Sequence, residues 1–230
     1  MSTQDPPLVY IVGDDSTLRD TLRRLLESVG LRALGFADAA AFLVAYQADT
    51  PGCLLLDIRV SGRNSLTSQK YLHDQGINAP VVIITAHGNV AMAVAAMKQG
   101  AMDFIEKPFN DQLLLDCVHS ALAEDKARRQ TYARRKDLQR RFDTLTPREQ
   151  DVLRQVVDGL SNRKIAETLS LSRKTVEVHR AKVMQKMRAD TLSQLIKMAI
   201  IIDIIKVFCD PAAIDAPGET IADYSERSCA

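Results

Sequence analysis

Asp57 closes the apolar run Cys53-Leu54-Leu55-Leu56. Such a run predicts a buried strand that delivers one carboxylate to its tip. Three other strand-like runs also end on polar groups. Asp14 and Asp15 follow Leu8–Val12, Thr85 and Ala86 follow Val81–Ile84, and Lys107-Pro108 follows Asp103–Glu106. In an open parallel sheet, ligands bind beyond the carboxyl ends of the strands, so these groups converge if the strands are neighbours. Carboxylates and a backbone carbonyl suit a hard cation such as Mg²⁺. The cation, the Thr85 hydroxyl and the Lys107 ammonium would together stabilise a phosphoryl group in transfer, with Asp57 as its acceptor.

A lone Asp after an apolar strand is ordinarily a turn residue or a helix cap. Several such positions, in order and each at a strand end, favour the chemical reading. Two enzyme patterns fit less well. A haloacid-dehalogenase-type phosphatase resembles this use of an Asp nucleophile, but its pattern has a second Asp two residues on, where this chain has Arg59. A dinucleotide site needs a glycine-rich turn, and Val12-Gly13-Asp14-Asp15-Ser16 holds one Gly.

The elements that must position these groups alternate through residue 122. Strand Leu8–Val12 leads to helix Ser16–Val29, strand Arg32–Gly35 to helix Ala37–Gln47, and strand Leu54–Leu56 to helix Leu66–His73. Strand Val81–Ile84 leads to helix Val90–Gln99, and strand Asp103–Ile105 to helix Asp111–Leu122. Five β–α units of this length predict an α/β doubly wound domain, a five-stranded parallel sheet covered on both faces.

Residues 8–122 resemble a response-regulator receiver domain, whose fold is flavodoxin-like. The string Ile83-Ile84-Thr85-Ala86-His87-Gly88-Asn89-Val90, followed by Phe104-Ile105-Glu106-Lys107-Pro108-Phe109, is similar to FixJ-type regulators. The resemblance implies that Asp57 is the phosphoacceptor, that Thr85 and Lys107 engage the phosphoryl oxygens, and that Thr85 and Phe104 form the switch. It also implies a cis Lys107–Pro108 bond, and Mg²⁺ held by Asp14, Asp57 and the carbonyl of Arg59, with Asp15 as a further acid. The family pattern has two acidic residues directly after the first strand. Here Gly13 takes the first place and Asp14 matches the second. After Asp57, Val60-Ser61-Gly62-Arg63-Asn64-Ser65 stands where the family commonly has Met-Pro-Gly-Met-Ser-Gly.

The net charge of +1 hides a segregation. Residues 1–125 hold 9 Lys and Arg against 15 Asp and Glu, residues 126–209 hold 20 against 9, and residues 210–230 hold 1 against 5. A basic segment beside an acidic one points to an anionic partner, nucleic acid first. Residues 123–142 are charged and lack Gly and Pro, which predicts a solvated helical linker.

Beyond the linker the pattern is helical. Thr146-Pro147-Arg148-Glu149 supplies a cap, a Pro at the first helical position and a Glu three residues after the cap. Ser161 caps a helix over Asn162–Leu169, and another begins at Ser172 or Arg173. Two short helices joined by a tight turn, the second carrying Lys174, Arg180, Lys182 and Lys186, form a helix-turn-helix signal. Leu145-Thr146-Pro147-Arg148-Glu149, Gly159-Leu160-Ser161-Asn162, Ile165-Ala166 and Ser172-Arg173-Lys174-Thr175-Val176-Glu177-Val178-His179-Arg180 resemble a LuxR-type DNA-binding domain, spanning 143–208 with its last helix, Leu192–Phe208. By that resemblance Ile165, Ala166, Leu169, Val176 and Val183 are core. Lys174, Thr175, Glu177, Val178 and Ala181 face the groove, Arg173, Arg180 and Lys182 face phosphate, and the last helix pairs two protomers; packing on its own domain is the simpler account of that helix's apolar surface. The acidic tail, 209–230, has too few large apolar residues to order itself.

The four Cys, at 53, 117, 209 and 229, form no Cys-x-x-Cys pair, so neither a zinc knuckle nor a redox motif is signalled. No signal peptide or membrane span is read, which predicts a cytoplasmic protein. The expected whole is a response regulator rather than an enzyme. Its partners are a sensor histidine kinase, double-stranded DNA and, on activation, a second copy of itself. The rival is a phosphorylation-independent DNA-binding regulator with a degenerate receiver.

Overall fold

The computed structural model describes residues 6–58, 72, 74–86 and 88–205. Arg59, nearly all of the helix predicted at Leu66–His73, and the tail lie outside the described residues. The chain divides between Tyr132 and Ala133 into two compact units.

The first unit contains β1 (Leu8–Val12), α1 (Ser16–Ser28), β2 (Arg32–Phe36), α2 (Ala39–Ala45), β3 (Gly52–Ile58), β4 (Val81–Thr85), α3 (Val90–Lys98), β5 (Asp103–Glu106) and the start of α4 (Asp111–Asp143). All strand pairs are parallel, in the order β2-β1-β3-β4-β5. The order reverses around β1, so the crevice lies where β1 and β3 end. Alternation sends Val9, Ile11, Cys53, Leu55, Val82 and Ile84 to the face covered by α1 and α4. Tyr10, Val12, Leu54, Leu56 and Ile83 go to the other face, against Phe42 and Ala96. Burial on both faces is why these strands read as continuous apolar runs.

Strand β3 is longer than the predicted Leu54–Leu56, because β1 and β4 hydrogen-bond along both its edges. Asp57 therefore sits inside the strand, opposite Ile84, and Ile58 lies opposite Thr85. The strand begins at Gly52, where a Cβ would lie 2.1 Å from the Leu8 carbonyl oxygen. Helix α2 is shorter than predicted, since the Asp38 side chain caps it by accepting the Ala41 N–H.

The largest departure is α4. The predicted helix ending at Leu122 and the predicted linker are one element, Asp111–Asp143. In the first unit Asp125 is buried, and its Oδ2 accepts the Gly52 N–H at 2.9 Å and Arg129 Nε at 2.6 Å. Arg128 pairs with Oδ1, and Arg129 also donates to the Ala48 and Thr50 carbonyls. In the second unit Leu138 is core and Phe142 packs beside it. Arg135 pairs with Asp203 at 2.5 Å, and Arg141 donates to the Met187 carbonyl at 3.2 Å. The two ends of the segment expected to be solvated are thus each tied down, largely by charged groups.

The second unit continues with α5 (Pro147–Val157), α6 (Asn162–Leu169), α7 (Arg173–Met187) and α8 (Leu192–Ile201). The capping box of α5 forms as the sequence predicts, with Thr146 and Glu149 each satisfying the other's backbone N–H. Ser170 adopts the left-handed conformation, φ 54°, and the Leu171 N–H donates to the Ala166 carbonyl at 2.9 Å. Ser172 then caps α7 by accepting the Thr175 N–H at 3.0 Å. These local bonds make the tight turn between α6 and α7. Helix α8 ends earlier than the predicted Phe208, at Ile201, and residues beyond 205 lie outside the described residues.

Candidate functional site

At the carboxyl edge of the sheet, Asp57 Oδ1 accepts a hydrogen bond from Lys107 Nζ at 2.6 Å. The Asp57 side chain is 2% exposed and that of Lys107 19%. Asp57 Oδ2 is buried without a hydrogen-bond partner among the described residues. A buried carboxylate oxygen left open is costly unless a ligand completes it. Strand β4 ends at Thr85, which is fully buried, and its carbonyl accepts the Lys107 N–H at 2.7 Å. The Lys107–Pro108 bond is cis. Asp57, Thr85 and Lys107 thus stand on adjoining ends of β3, β4 and β5.

The β1–α1 turn differs from the sequence reading. Asp15 is the N-cap of α1, with Oδ1 accepting the Thr17 N–H at 2.9 Å and the Leu18 N–H at 3.2 Å. Asp15 is thus engaged as a cap through Oδ1, while Asp14 beside it is exposed. Gly13 is buried against the acceptor: a Cβ there would lie 2.6 Å from Asp57 Cβ and 3.2 Å from Oδ2. No side chain fits at residue 13 unless Asp57 shifts.

Among the described residues no group of three or more His, Cys, Asp or Glu is placed to hold a metal ion. The fit to Mg²⁺ is therefore that of a sparse site, with Asp14 and the open Oδ2 of Asp57 as its oxygen donors. Mg²⁺ ordinarily keeps several waters and uses one or two carboxylates, so the donor set is compatible with it.

Phe104 is half-buried on β5. A Cβ on Gly88 would lie 3.1 Å from its ring and 3.0 Å from Glu106 Cδ, and the Gly88 N–H donates to Glu106 Oε1 at 3.1 Å. The sequence reading missed Glu106, which links the end of β5 to the segment after Thr85. Among the described residues the thiols, Cys53 and Cys117, are buried and held protonated. Burial pushes Cys53 up to about 12, and burial followed by the bond to Asp103 pushes Cys117 up to about 12.

In the second unit α7 turns Val176, Val183 and Met187 inward, while Ile165 and Ala166 of α6 are buried beside them. Arg173, Lys174, Glu177, Val178, Ala181 and Lys182 are exposed, and Thr175 is half-buried with its hydroxyl 2.7 Å from that of Ser172. Arg180 is half-buried, and its Nη1 donates to Asn162 Oδ1 at 2.9 Å. His179 Nδ1 is buried without a partner among the described residues, which makes the ring a packed group. Lys186 departs from its sequence assignment as part of the basic helix face. It donates to Glu149 Oε2 at 2.6 Å and to the Thr144 carbonyl at 3.1 Å, so its charge is engaged inside the unit.

A doubly wound α/β unit with a carboxylate–ammonium pair at its strand ends, followed by a helix-turn-helix unit with a basic exposed helix, has the form of a receiver joined to a DNA-binding domain. Residues 9–119 match the model of the response regulator receiver domain, and residues 143–199 match that of the bacterial regulatory proteins of the luxR family. The chain is 42% identical over 192 residues to Nodulation protein W of Bradyrhizobium diazoefficiens, covering 84% of this chain and 85% of that one. It is 40% identical over 192 residues to the transcriptional regulatory protein FixJ of the same organism, covering 84% and 94%. The solved structure of response regulator StyR, at 39% identity, superposes with a TM-score of 0.75 over 85% of this chain and 98% of that one. Full-length FixJ from B. japonicum superposes with a TM-score of 0.52 at 38% identity, over 88% and 100%. The chain belongs to the FixJ-like response regulators, transcriptional regulators that carry a receiver domain and a LuxR-type DNA-binding domain. The family is one of regulators, not enzymes. Among the described residues no helix is long and apolar enough to cross a membrane.

Proposed function

We propose that the receiver accepts a phosphoryl group from a sensor histidine kinase onto Asp57, and that the second unit then binds double-stranded DNA as a dimer. The observation that carries this reading is the buried Asp57, with Lys107 on Oδ1 and nothing on Oδ2 among the described residues. Asp57 attacks phosphorus, the P–N bond to the kinase histidine breaks, and the imidazole leaves with the electron pair. Lys107 neutralises charge on the phosphoryl oxygens and the Thr85 hydroxyl donates to one of them. Asp14, Asp57 and the carbonyl of Arg59 would hold Mg²⁺, which would supply positive charge at those oxygens. Thr85 and Phe104 then rearrange together as the switch. Val90, at 81% exposure, and the exposed Val94 and Met97 give α3 an apolar face suited to pairing with a second copy.

On DNA, Arg173, Arg180 and Lys182 engage phosphates, while Lys174, Thr175, Glu177, Val178 and Ala181 face base edges in the major groove. The test of the phosphoryl reading is intact mass after incubation with a small phosphodonor and Mg²⁺. The chain should gain one phosphoryl group and Asp57→Asn should gain none. An unchanged gain in the variant would remove Asp57 from the role. No gain in the parent chain would favour the phosphorylation-independent regulator, which Gly13 and the altered segment after Asp57 support.

A further inference from the structure

Gly13 is the residue where this receiver departs from the two-acid pattern, and glycine gives the turn the greatest backbone freedom. Two hydrogen bonds remove that freedom. The Gly13 N–H donates to the Phe36 carbonyl at 3.1 Å, at the end of β2. The Gly13 carbonyl accepts from Arg19 Nη1 at 2.5 Å, from the first turn of α1. A guanidinium-to-carbonyl bond is charge-assisted and stronger than a neutral one. Arg19 reaches the carbonyl by lying across Gly35. A Cβ on residue 35 would meet Arg19 Cβ and Cδ at 3.6 Å and Nε at 3.8 Å, so a longer side chain there would occupy the space of the arginine stem.

We infer that Arg19 is a positioning residue for the cation and phosphoryl site, with Gly35 as the space that admits it. Holding the Gly13 oxygen fixes the plane of the peptide that leads into Asp14, while the other side of Gly13 is pressed against Asp57. The cation's two proposed carboxylates are thereby kept at one separation, although the acid usual at residue 13 is missing. This inference rests on the reading of Asp14 and Asp57 as the cation site. Arg19 also acts by charge, in the opposite sense: a guanidinium near a cation site repels the cation. The two effects predict opposite signs when Arg19 is replaced, and positioning is the one assigned.

The experiment measures Mg²⁺ affinity by calorimetry on the unphosphorylated full chain, alongside phosphoryl uptake by intact mass, with circular dichroism to report folding. Arg19→Met keeps the stem over Gly35 and removes donors and charge. It should weaken Mg²⁺ binding about tenfold, the lower range for losing a group that orients a metal ligand. Arg19→Lys should recover part of the loss. Gly35→Leu, which displaces the stem, should weaken binding similarly, and adding it to Arg19→Met should cost little more, as expected for two changes that act through one contact. Unchanged affinity in Arg19→Met, or tighter binding, would overturn the assignment; if Asp57→Asn still abolished uptake, the phosphoacceptor reading would stand without it. Weaker Mg²⁺ binding in a chain that takes up no phosphoryl group would leave Arg19 in its role and remove the phosphoacceptor reading. A parent chain that binds no Mg²⁺ would overturn the cation site and Arg19's part in it together.

Discussion

Lys186 Nζ lies 2.6 Å from Glu149 Oε2, so the lysine nearest the end of α7 joins that helix to the capping box of α5. It lies on the helix that carries the proposed DNA contacts, yet its partner is internal. Lys186→Ala should therefore cost stability, about 1–2 kcal/mol for a charged hydrogen bond to a buried partner. It should leave the salt dependence of DNA binding unchanged. Lys182→Ala should do the reverse, lowering the salt slope by roughly one unit without destabilising the fold. Urea unfolding and binding at several salt concentrations separate the two. A slope change for Lys186→Ala would return that residue to the DNA face.

Glu149 carries a pH dependence of defined sign. Its hydrogen bond from Lys186 first, and that from Thr146, hold its carboxyl below the ordinary value of 4.5, against the opposing effect of burial. A depressed folded-state value means that the ionised form is preferred in the fold. The stabilisation is present above 4.5, where the unfolded chain is also ionised, and is lost as pH falls through the lower folded value. The second unit should lose stability on acidification in that window, and Glu149→Gln should flatten its contribution there. Thermal midpoints between neutral and strongly acidic pH decide this. A variant with the parent's full acid sensitivity would place the titration elsewhere.

Asp125 is a buried charge whose partners are all supplied. Removing it leaves Arg128, Arg129 and the Gly52 N–H without their common acceptor. Asp125→Ala should destabilise the first unit by about 3 kcal/mol, the low end for breaking a buried pair, since both arginines reach solvent. Asp125→Asn should cost less, because an amide oxygen can still accept from Gly52. Denaturant titration of the full chain measures both. Equal, small losses would mean that water replaces these bonds at no cost.

A Cβ on Gly88 would crowd Glu106 at 3.0 Å and the Phe104 ring at 3.1 Å, so one of them must give way. Gly88→Ala should displace the Phe104 ring or break the bond from the Gly88 N–H to Glu106. If Phe104 is the switch, the monomer–dimer balance should then differ from the parent's, with or without phosphodonor. Sedimentation reads this directly. Identical balances in both conditions would count against Phe104 as the switch.

Much of the fold was legible because its signals are local. Thr146, Ser161 and Ser172 cap their helices as their spacing predicts, since a cap and its target N–H lie within three residues. The alternation of strands with the described helices through residue 122 was readable from periodicity, and with it that Asp57, Thr85 and Lys107 lie toward the carboxyl edge of the sheet. The tertiary structure decided what depends on distant partners. Neighbours on both sides lengthened β3 and drew Asp57 inside it. The approach of β1 to β3 pressed Gly13 against Asp57. The charged stretch after Leu122 reads as solvated because burying a charge is costly without a partner. Its partners are remote: Gly52 lies 73 residues from Asp125, and Asp203 lies 68 from Arg135. A sequence displays which groups can ionise, but only the folded chain brings to each the partner that makes its burial affordable.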